Sequence, residues 1–478
     1  MNTKVTLDFT ARERKNIWEF LITRLEEYYE NTSRQKVAPA LEMQAIRKLV
    51  EQHDFQKPLV AREALEHVLK GLSEFTVHTS HPSYFGLFNP RSNFPGILAD
   101  VITAVFNPQM AAWSHAPFAA EVENYCIKGL GKMFGYEESY IDGTFCTGGA
   151  EANLTAVLCA LNHHFPQYAN EGLRGLEVSP VLYCSAEAHH SVIRAAKVVG
   201  LGWDALRPIP VDAMGKMQPD CLEAQLLTDR KNGSEPFMLI ANAGSTGTGA
   251  LDPLQELAQT AKKYGLWYHV DAAYGGALIV EPELKKYLEG IEESDSITID
   301  IHKWFSAPMA TSMFITRHPA SLHQTFRITA DYMPKEASEM KVTDPYTHSL
   351  QWSRRFIGLK FYLQLLMVGW EGLAGMVRSV SETGALLKKQ LLEHDWELLN
   401  DTCLPIVCFT DARFTTDSQF VPALCQEVVN SGKAWISIYT IKKMPALRAC
   451  ITNYTSTEKE VGDLVNLLNK LRKKYLKG

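Results

Sequence analysis

Asp295-Ser-Ile-Thr-Ile-Asp-Ile-His-Lys-Trp-Phe305 is a β-rich run that ends in three polar side chains, Asp300, His302 and Lys303, before aromatic residues and Pro308 close it. A lysine among apolar neighbours at a strand end is costly unless its pKa falls or its amine is covalently occupied, the condition of a Schiff-base lysine. Alone, the segment is equally compatible with a surface loop carrying an exposed lysine. Five further β-rich runs share the pattern: Tyr140-Ile-Asp-Gly-Thr-Phe145, Val181-Leu-Tyr-Cys184, Phe237-Met-Leu-Ile-Ala241, Leu266-Trp-Tyr-His-Val-Asp271 and Ser312-Met-Phe-Ile-Thr316. Helical stretches separate them. That alternation predicts an α/β fold with a mainly parallel sheet and helices on both faces, where ligands bind at strand ends and in the following loops.

The flanks read differently. In IWEFLITRLEEYYE (17–30) and REALEHVLKGL (62–72) apolar residues recur three and four apart, the spacing of amphipathic helices that must pack on the main domain or a second subunit. After a long helical stretch from Arg354 to Leu392 come strand-like Leu404–Phe409, Trp435–Tyr439 and Leu447–Ile451, with helices over 419–430 and from about 458. The expected division is a helical segment over 1–80, a large α/β domain over 81–384 and a small α+β domain over 385–478. With 46% hydrophobic and 21% charged residues, 30 Gly and 22 Pro, the composition excludes a collagen, a disordered tail and a coiled-coil rod. A net charge of −6 without a long basic block argues against a nucleic-acid partner. Nine cysteines with no C-x-x-C pair read as reduced core residues, and no apolar run reaches the roughly 20 residues that cross a bilayer, so no membrane partner and a cytoplasmic location are expected.

Four more motifs end or follow β-rich runs. Tyr268-His-Val-Asp-Ala-Ala-Tyr-Gly-Gly276 places Asp271 at a strand end with small Ala273 two residues on. Asp271 reads as a helix cap, a metal ligand or the carboxylate that pyridoxal phosphate requires opposite its ring nitrogen; a metal is disfavoured because the element carries no second acid or histidine at ligand spacing. Ala273 is short enough for a flat ring to lie against it. Gly143-Thr-Phe-Cys-Thr-Gly-Gly-Ala-Glu-Ala-Asn153 joins a β-run to a helix through Thr147, Gly148, Gly149 and Ala150, where backbone N–H groups form a phosphate site, although a Gly-Gly turn by itself is only a turn. Glu187-Ala-His-His-Ser-Val192 offers His189 as an imidazole to stack on a ring, and Ala243–Asp252 offers the hydroxyls of Ser245 and Thr246.

Taken in order, these motifs resemble the group II pyridoxal-phosphate-dependent amino-acid decarboxylases, which include the aromatic-amino-acid, histidine, glutamate and cysteine-sulfinate enzymes. The resemblance spans nearly the whole chain and includes His81-Pro-Ser-Tyr-Phe85, Pro95-Gly-Ile-Leu-Ala-Asp100 and the stretch from Trp113 to Glu123. It implies the fold-type-I, aspartate-aminotransferase-like architecture with a seven-stranded sheet, and a homodimer whose active site lies at the subunit interface. It further implies Lys303 as the Schiff-base lysine, Asp271 as ring-nitrogen partner and His189 as the stacking imidazole. Thr147, Gly148, Thr246 and His302 become phosphate or ring contacts. Tyr332, in Thr329-Ala-Asp-Tyr-Met-Pro334, becomes the loop acid that protonates Cα, and Arg448 lies near the substrate carboxylate; Arg354 and Arg355 are structural.

The implied reaction converts an L-amino acid to its amine and CO2. Tyr84-Phe-Gly-Leu-Phe-Asn-Pro-Arg91 lines up with the aromatic branch, and Phe88 suits a substrate ring by offset stacking. Arg91 and Gln109 offer polar contacts that suit an acidic side chain instead. The expectation is an aromatic substrate, with glutamate, aspartate or cysteine sulfinate as the alternative. An oxidative aldehyde synthase and a catalytically inactive regulatory subunit are the further alternatives.

Overall fold

Seven strands build the main sheet of the computed structural model, which describes residues 7, 9–328 and 339–476: β1 (Asp142–Cys146), β2 (Ser179–Ser185), β3 (Leu206–Ile209), β4 (Ser234–Asn242), β5 (Trp267–Asp271), β6 (Ser296–Asp300) and β7 (Ser312–Thr316). Their order is β1-β7-β6-β5-β4-β2-β3, and only the pairs made by β7 are antiparallel. The mainly parallel seven-stranded sheet expected from the sequence is present. Period-two alternation sends Val181 and Tyr183 of β2 into one apolar cluster and Leu182 and Cys184 into the cluster on the other face. Both faces are covered, as parallel strands require. The edge strand β3 was not among the expected runs: Leu-Arg-Pro-Ile carries a charge and a proline, which only an edge tolerates.

The register brings two strand ends level. Asn242 pairs with Asp271, and Asp271 with Thr298, so β4 and β5 finish side by side and β6 runs two residues further, to Asp300.

A second, antiparallel sheet runs β10-β11-β9-β8, with β8 (Glu397–Leu398), β9 (Ile406–Thr410), β10 (Ser437–Ile441) and β11 (Met444–Cys450). The helix Leu359–Glu393 lies between the two sheets in sequence and is broken at Gly369, whose φ of 65° only glycine adopts easily. The expected boundary at 384–385 falls inside it. At the N-terminus, the helix Ala11–Asn31 starts with a Thr10/Glu13 capping box and buries no residue within one chain, leaving Trp18, Ile22 and Leu25 exposed. Among the described residues no helix is long and apolar enough to cross a membrane.

Candidate active site

A cavity of about 250 Å³ opens where β4, β5 and β6 end. Asn242, Asp271 and Asp300, the last residues of those strands, face it together with Lys303, His189 and the first turn of the helix Gly149–His164. Asp271 is buried, and its two oxygens accept from Asn153 Nδ2 (2.8 Å) and the Ala273 N–H (3.1 Å). Lys303 Nζ lies 3.0 Å from Asp300 Oδ2, while Asp300 Oδ1 accepts from the Ser312 hydroxyl at 2.5 Å. His189 caps the helix His190–Val198: its Nδ1 accepts from the Ser191 N–H (3.2 Å) and lies 2.9 Å from the Ser191 hydroxyl. Burial, helped by the Lys303 charge and opposed by Asp271, holds the His189 pKa below its ordinary value.

The glycines of the turn differ in what they permit. A Cβ at Gly148 would meet nothing within 4 Å, whereas one at Gly149 would press to 2.9 Å and 3.0 Å on the Asp300 carboxylate oxygens. Gly149 is therefore the position that needs a glycine. Thr147 turns away from the cavity, its N–H and hydroxyl both bonded to Glu151 at 2.8 Å and 2.6 Å. Thr246 and Ala273 line the cavity as expected positions, and the Asn242 amide nitrogen in its wall is buried without a partner.

Several expected contacts are not among the residues that line the cavity, although the Arg448 guanidinium lies 5.2 Å over the ring of Phe88 in its wall. His302, just before Lys303, turns its Nδ1 to the Thr311 backbone at 3.0 Å and its Nε2 toward Asp300 Oδ2 at 3.8 Å, and burial lowers its pKa. Neighbouring residues beyond a strand end need not face the same way, and His302 is not among the residues lining the cavity. Arg91 lies over the Tyr29 ring at 4.3 Å. Gln109 is exposed, 3.4 Å from the Ser353 hydroxyl, and accepts the Ala111 N–H at 2.9 Å. Arg448 is buried and donates to the carbonyls of Gly247 (2.9 Å), Thr246 (2.7 Å) and Gly86 (3.3 Å). Phe88 does reach the cavity, stacked on Tyr274 at 4.1 Å with Lys303 Nζ 5.5 Å from its centroid. Tyr332 lies outside the described residues. Arg354, read as structural, forms a buried pair with Glu123.

Gly149 and Ala150 of the expected phosphate turn line the cavity, and Asn153, Ser191, Asn242 and Asp300 line it without having been assigned a role from sequence. One signal was available. Asn153 stands four residues after Gly149, one helical turn below the phosphate-type turn and on the same face. As a donor set, the cavity fits pyridoxal phosphate: an amine, a hydrogen-bonded carboxylate, a glycine turn at a helix start and an unpaired amide that awaits an acceptor.

Comparison with known proteins agrees with this fit. Residues 44–411 match the pyridoxal-dependent decarboxylase conserved domain. An aromatic-L-amino-acid decarboxylase of Bacillus atrophaeus is 27% identical over 466 residues, 95% of this chain and 94% of that protein. The acidic amino acid decarboxylase GADL1 of Mus musculus is 30% identical over 378 residues, 78% of this chain and 66% of the mouse protein. Among solved structures, Oryza sativa TDC with PLP and tryptamine superposes with a TM-score of 0.93 at 21% identity, covering 98% of this chain and 99% of that one, which shows the fold-type-I architecture. The chain belongs to the pyridoxal-dependent decarboxylases and is a carboxy-lyase that acts on an amino acid with pyridoxal phosphate.

Proposed function

We propose that this enzyme decarboxylates an aromatic L-amino acid to the corresponding amine. The observation that carries the choice is the cavity wall: Phe88 and Tyr274 present a stacked aromatic surface beside Lys303, and among the described lining residues Lys303 is the one lysine or arginine. An acidic side chain would need a second cation. Within one chain, Arg91 lies on Tyr29 and Arg448 is spent on backbone carbonyls.

In this reading the Lys303 amine would hold the cofactor in the cavity beside the substrate. When bound, pyridoxal phosphate supplies the conjugated ring that accepts the electrons left as CO2 departs. Asp271 would pair with the ring nitrogen and favour its protonated form, His189 would stack on the ring, and the N–H groups at Gly148 and Gly149 would take the phosphate. Tyr332 would donate the proton to Cα; Tyr332→Phe is expected to retain CO2 release and divert the carbanion toward abortive transamination, which leaves the amine on the cofactor, or, with dioxygen as oxidant, toward the aldehyde. The exposed apolar residues Val101, Ile102, Val105 and Phe106, together with Trp18, Ile22 and Leu25, favour a homodimer, and nine free cysteines favour a reducing cytoplasmic setting.

The test is amine production from the protein amino acids plus DOPA, 2,4-diaminobutyrate and cysteine sulfinate. Amine from phenylalanine, tyrosine, tryptophan or DOPA is expected. Turnover of glutamate or aspartate with none of these would overturn the aromatic assignment in favour of the acidic one, and aldehyde as sole product would favour the oxidative synthase.

A further inference from the structure

Alternate residues of β5 and β6 carry a polar stripe across the middle of a buried sheet. Trp267, His269 and Asp271 alternate with Tyr268 and Val270, and Ser296, Thr298 and Asp300 alternate with Ile297 and Ile299. The intervening residues belong to the apolar cluster on the opposite face. Polar side chains at such positions are costly unless each is paired, and these are paired with one another.

The chain of bonds runs from Trp267 to the cavity. Trp267 Nε1 donates to Ser296 Oγ at 2.8 Å, and Ser296 Oγ lies 2.8 Å from His269 Nδ1. His269 Nε2 is 3.2 Å from Asn153 Oδ1, which also accepts from the Thr298 hydroxyl at 2.9 Å; that hydroxyl oxygen lies 3.3 Å from His269 Nε2. Asn153 Nδ2 then donates twice, to Asp271 Oδ2 at 2.8 Å and to Ser191 Oγ at 2.9 Å. Ser191 Oγ lies 2.9 Å from His189 Nδ1.

The two ends fix the direction of the bonds they make. Indole can only donate and a carboxylate can only accept. With Asp271 accepting, the Asn153 amide must turn its nitrogen to the cavity and its oxygen to the sheet. The geometry suits a His269 proton on Nε2 donated to Asn153 Oδ1, with Nδ1 accepting from the Ser296 hydroxyl, which the Trp267 N–H leaves free to donate. Ser191, accepting from Asn153, donates its own hydrogen to His189 Nδ1, which leaves the His189 proton on Nε2. Burial pushes the His269 pKa down to about 4, consistent with the neutral imidazole that this order needs.

We propose that Asn153 is the positioning residue that sets Asp271 and His189 together, and that His269 orients its amide. The proposal rests on the reading of Asp271 as ring-nitrogen partner and His189 as stacking imidazole. One amide thus holds the group at the ring nitrogen and, through the Ser191 hydroxyl, the imidazole over the ring face.

The experiment compares isosteric Asn153→Asp with Asn153→Leu, measuring pyridoxal phosphate dissociation by equilibrium dialysis and the ring-nitrogen resonance of isotope-labelled cofactor by solid-state NMR. Asn153→Asp keeps the shape but turns an acceptor toward Asp271. Both variants are expected to bind the cofactor roughly 10- to 100-fold more weakly and to move the ring-nitrogen resonance. A packing role alone would leave Asn153→Asp like the parent, and that result would overturn the proposal. Should the Asn153 variants fail to fold, Ser191→Ala decides: with the hydroxyl gone and only the Ser191 backbone N–H left on Nδ1, the His189 ring-nitrogen resonances are expected to shift and cofactor binding to weaken, and a parent-like spectrum and affinity would overturn it. Asp271→Ala separates the two readings. If it binds cofactor as the parent does, the role given to Asp271 fails; if it is damaged while Asn153→Asp is silent, only the role of Asn153 fails.

Discussion

Replacing Arg448 by Lys should destabilise the protein before any substrate is present. The guanidinium reaches three carbonyls on two separate segments, Gly247 (2.9 Å) and Thr246 (2.7 Å) on one and Gly86 (3.3 Å) on the other. A lysine ammonium is a point charge on a flexible stem and cannot span both segments as the planar fork does. At about 1.5–3 kcal/mol for each hydrogen bond from a charged donor, losing two of the three costs at least about 3 kcal/mol. With an unfolding entropy of about 2 cal/mol/K per residue, a 478-residue chain that unfolds as one unit would lose roughly 3 °C in Tm. Differential scanning calorimetry of the apo-protein measures this directly. A parent-like Tm in Arg448→Lys, with the loss confined to substrate KM, would show that the guanidinium serves the substrate carboxylate and that its bonds to the backbone are dispensable.

Gly149→Ala should weaken pyridoxal phosphate binding, because the new methyl group would sit 2.9 Å from an Asp300 oxygen that Ser312 and Lys303 hold in place; overpacking of this kind costs about 1–3 kcal/mol, and equilibrium dialysis reads it. Glu123→Gln should cost about 3–5 kcal/mol in urea unfolding, since Glu123 accepts from Arg354 at 2.9 Å and 2.5 Å and its loss of charge strands a buried guanidinium. His269 predicts an acid-side loss of stability. Burial lowers its pKa from 6.5 to about 4, so between those values the unfolded chain takes up a proton that the folded protein refuses. Stability is unaffected by this group above pH 6.5 and falls as the pH drops toward 4. At about 1.4 kcal/mol for each pH unit across that window, the ceiling is roughly 3 kcal/mol, and His269→Gln should flatten this part of the stability–pH curve.

The sheet was legible because its strands are apolar runs separated by helices, and Lys303 and Asp271 because each ends such a run. β3 was hidden by its Arg-Pro pair, and β8, two residues long, carries too little pattern to read. Side-chain direction was the harder part. His302 and Lys303 are neighbours in sequence, yet one faces the Thr311 backbone and the other the cavity. Arg448 and Arg91 drew attention as carboxylate partners because sequence shows charges and conceals backbone carbonyls and ring faces. Asn153 was quoted with its motif and given no task, since its partners on β5 and β6 lie 116 to 145 residues away.

Those separations bear on how the protein is made. The bonds that shape the cavity join Asn153 to Thr298 across 145 residues and Arg448 to Gly86 across 362. Contacts that distant form late, after loop closure has been achieved by the rest of the fold. During synthesis, residues 86, 153, 271 and 303 leave the ribosome well before Arg448 does, so the nascent chain carries the cofactor's lysine and carboxylate without the finished wall around them. Cofactor capture is accordingly an event of the completed chain, and truncation anywhere before β11 should yield a protein that is made but not loaded.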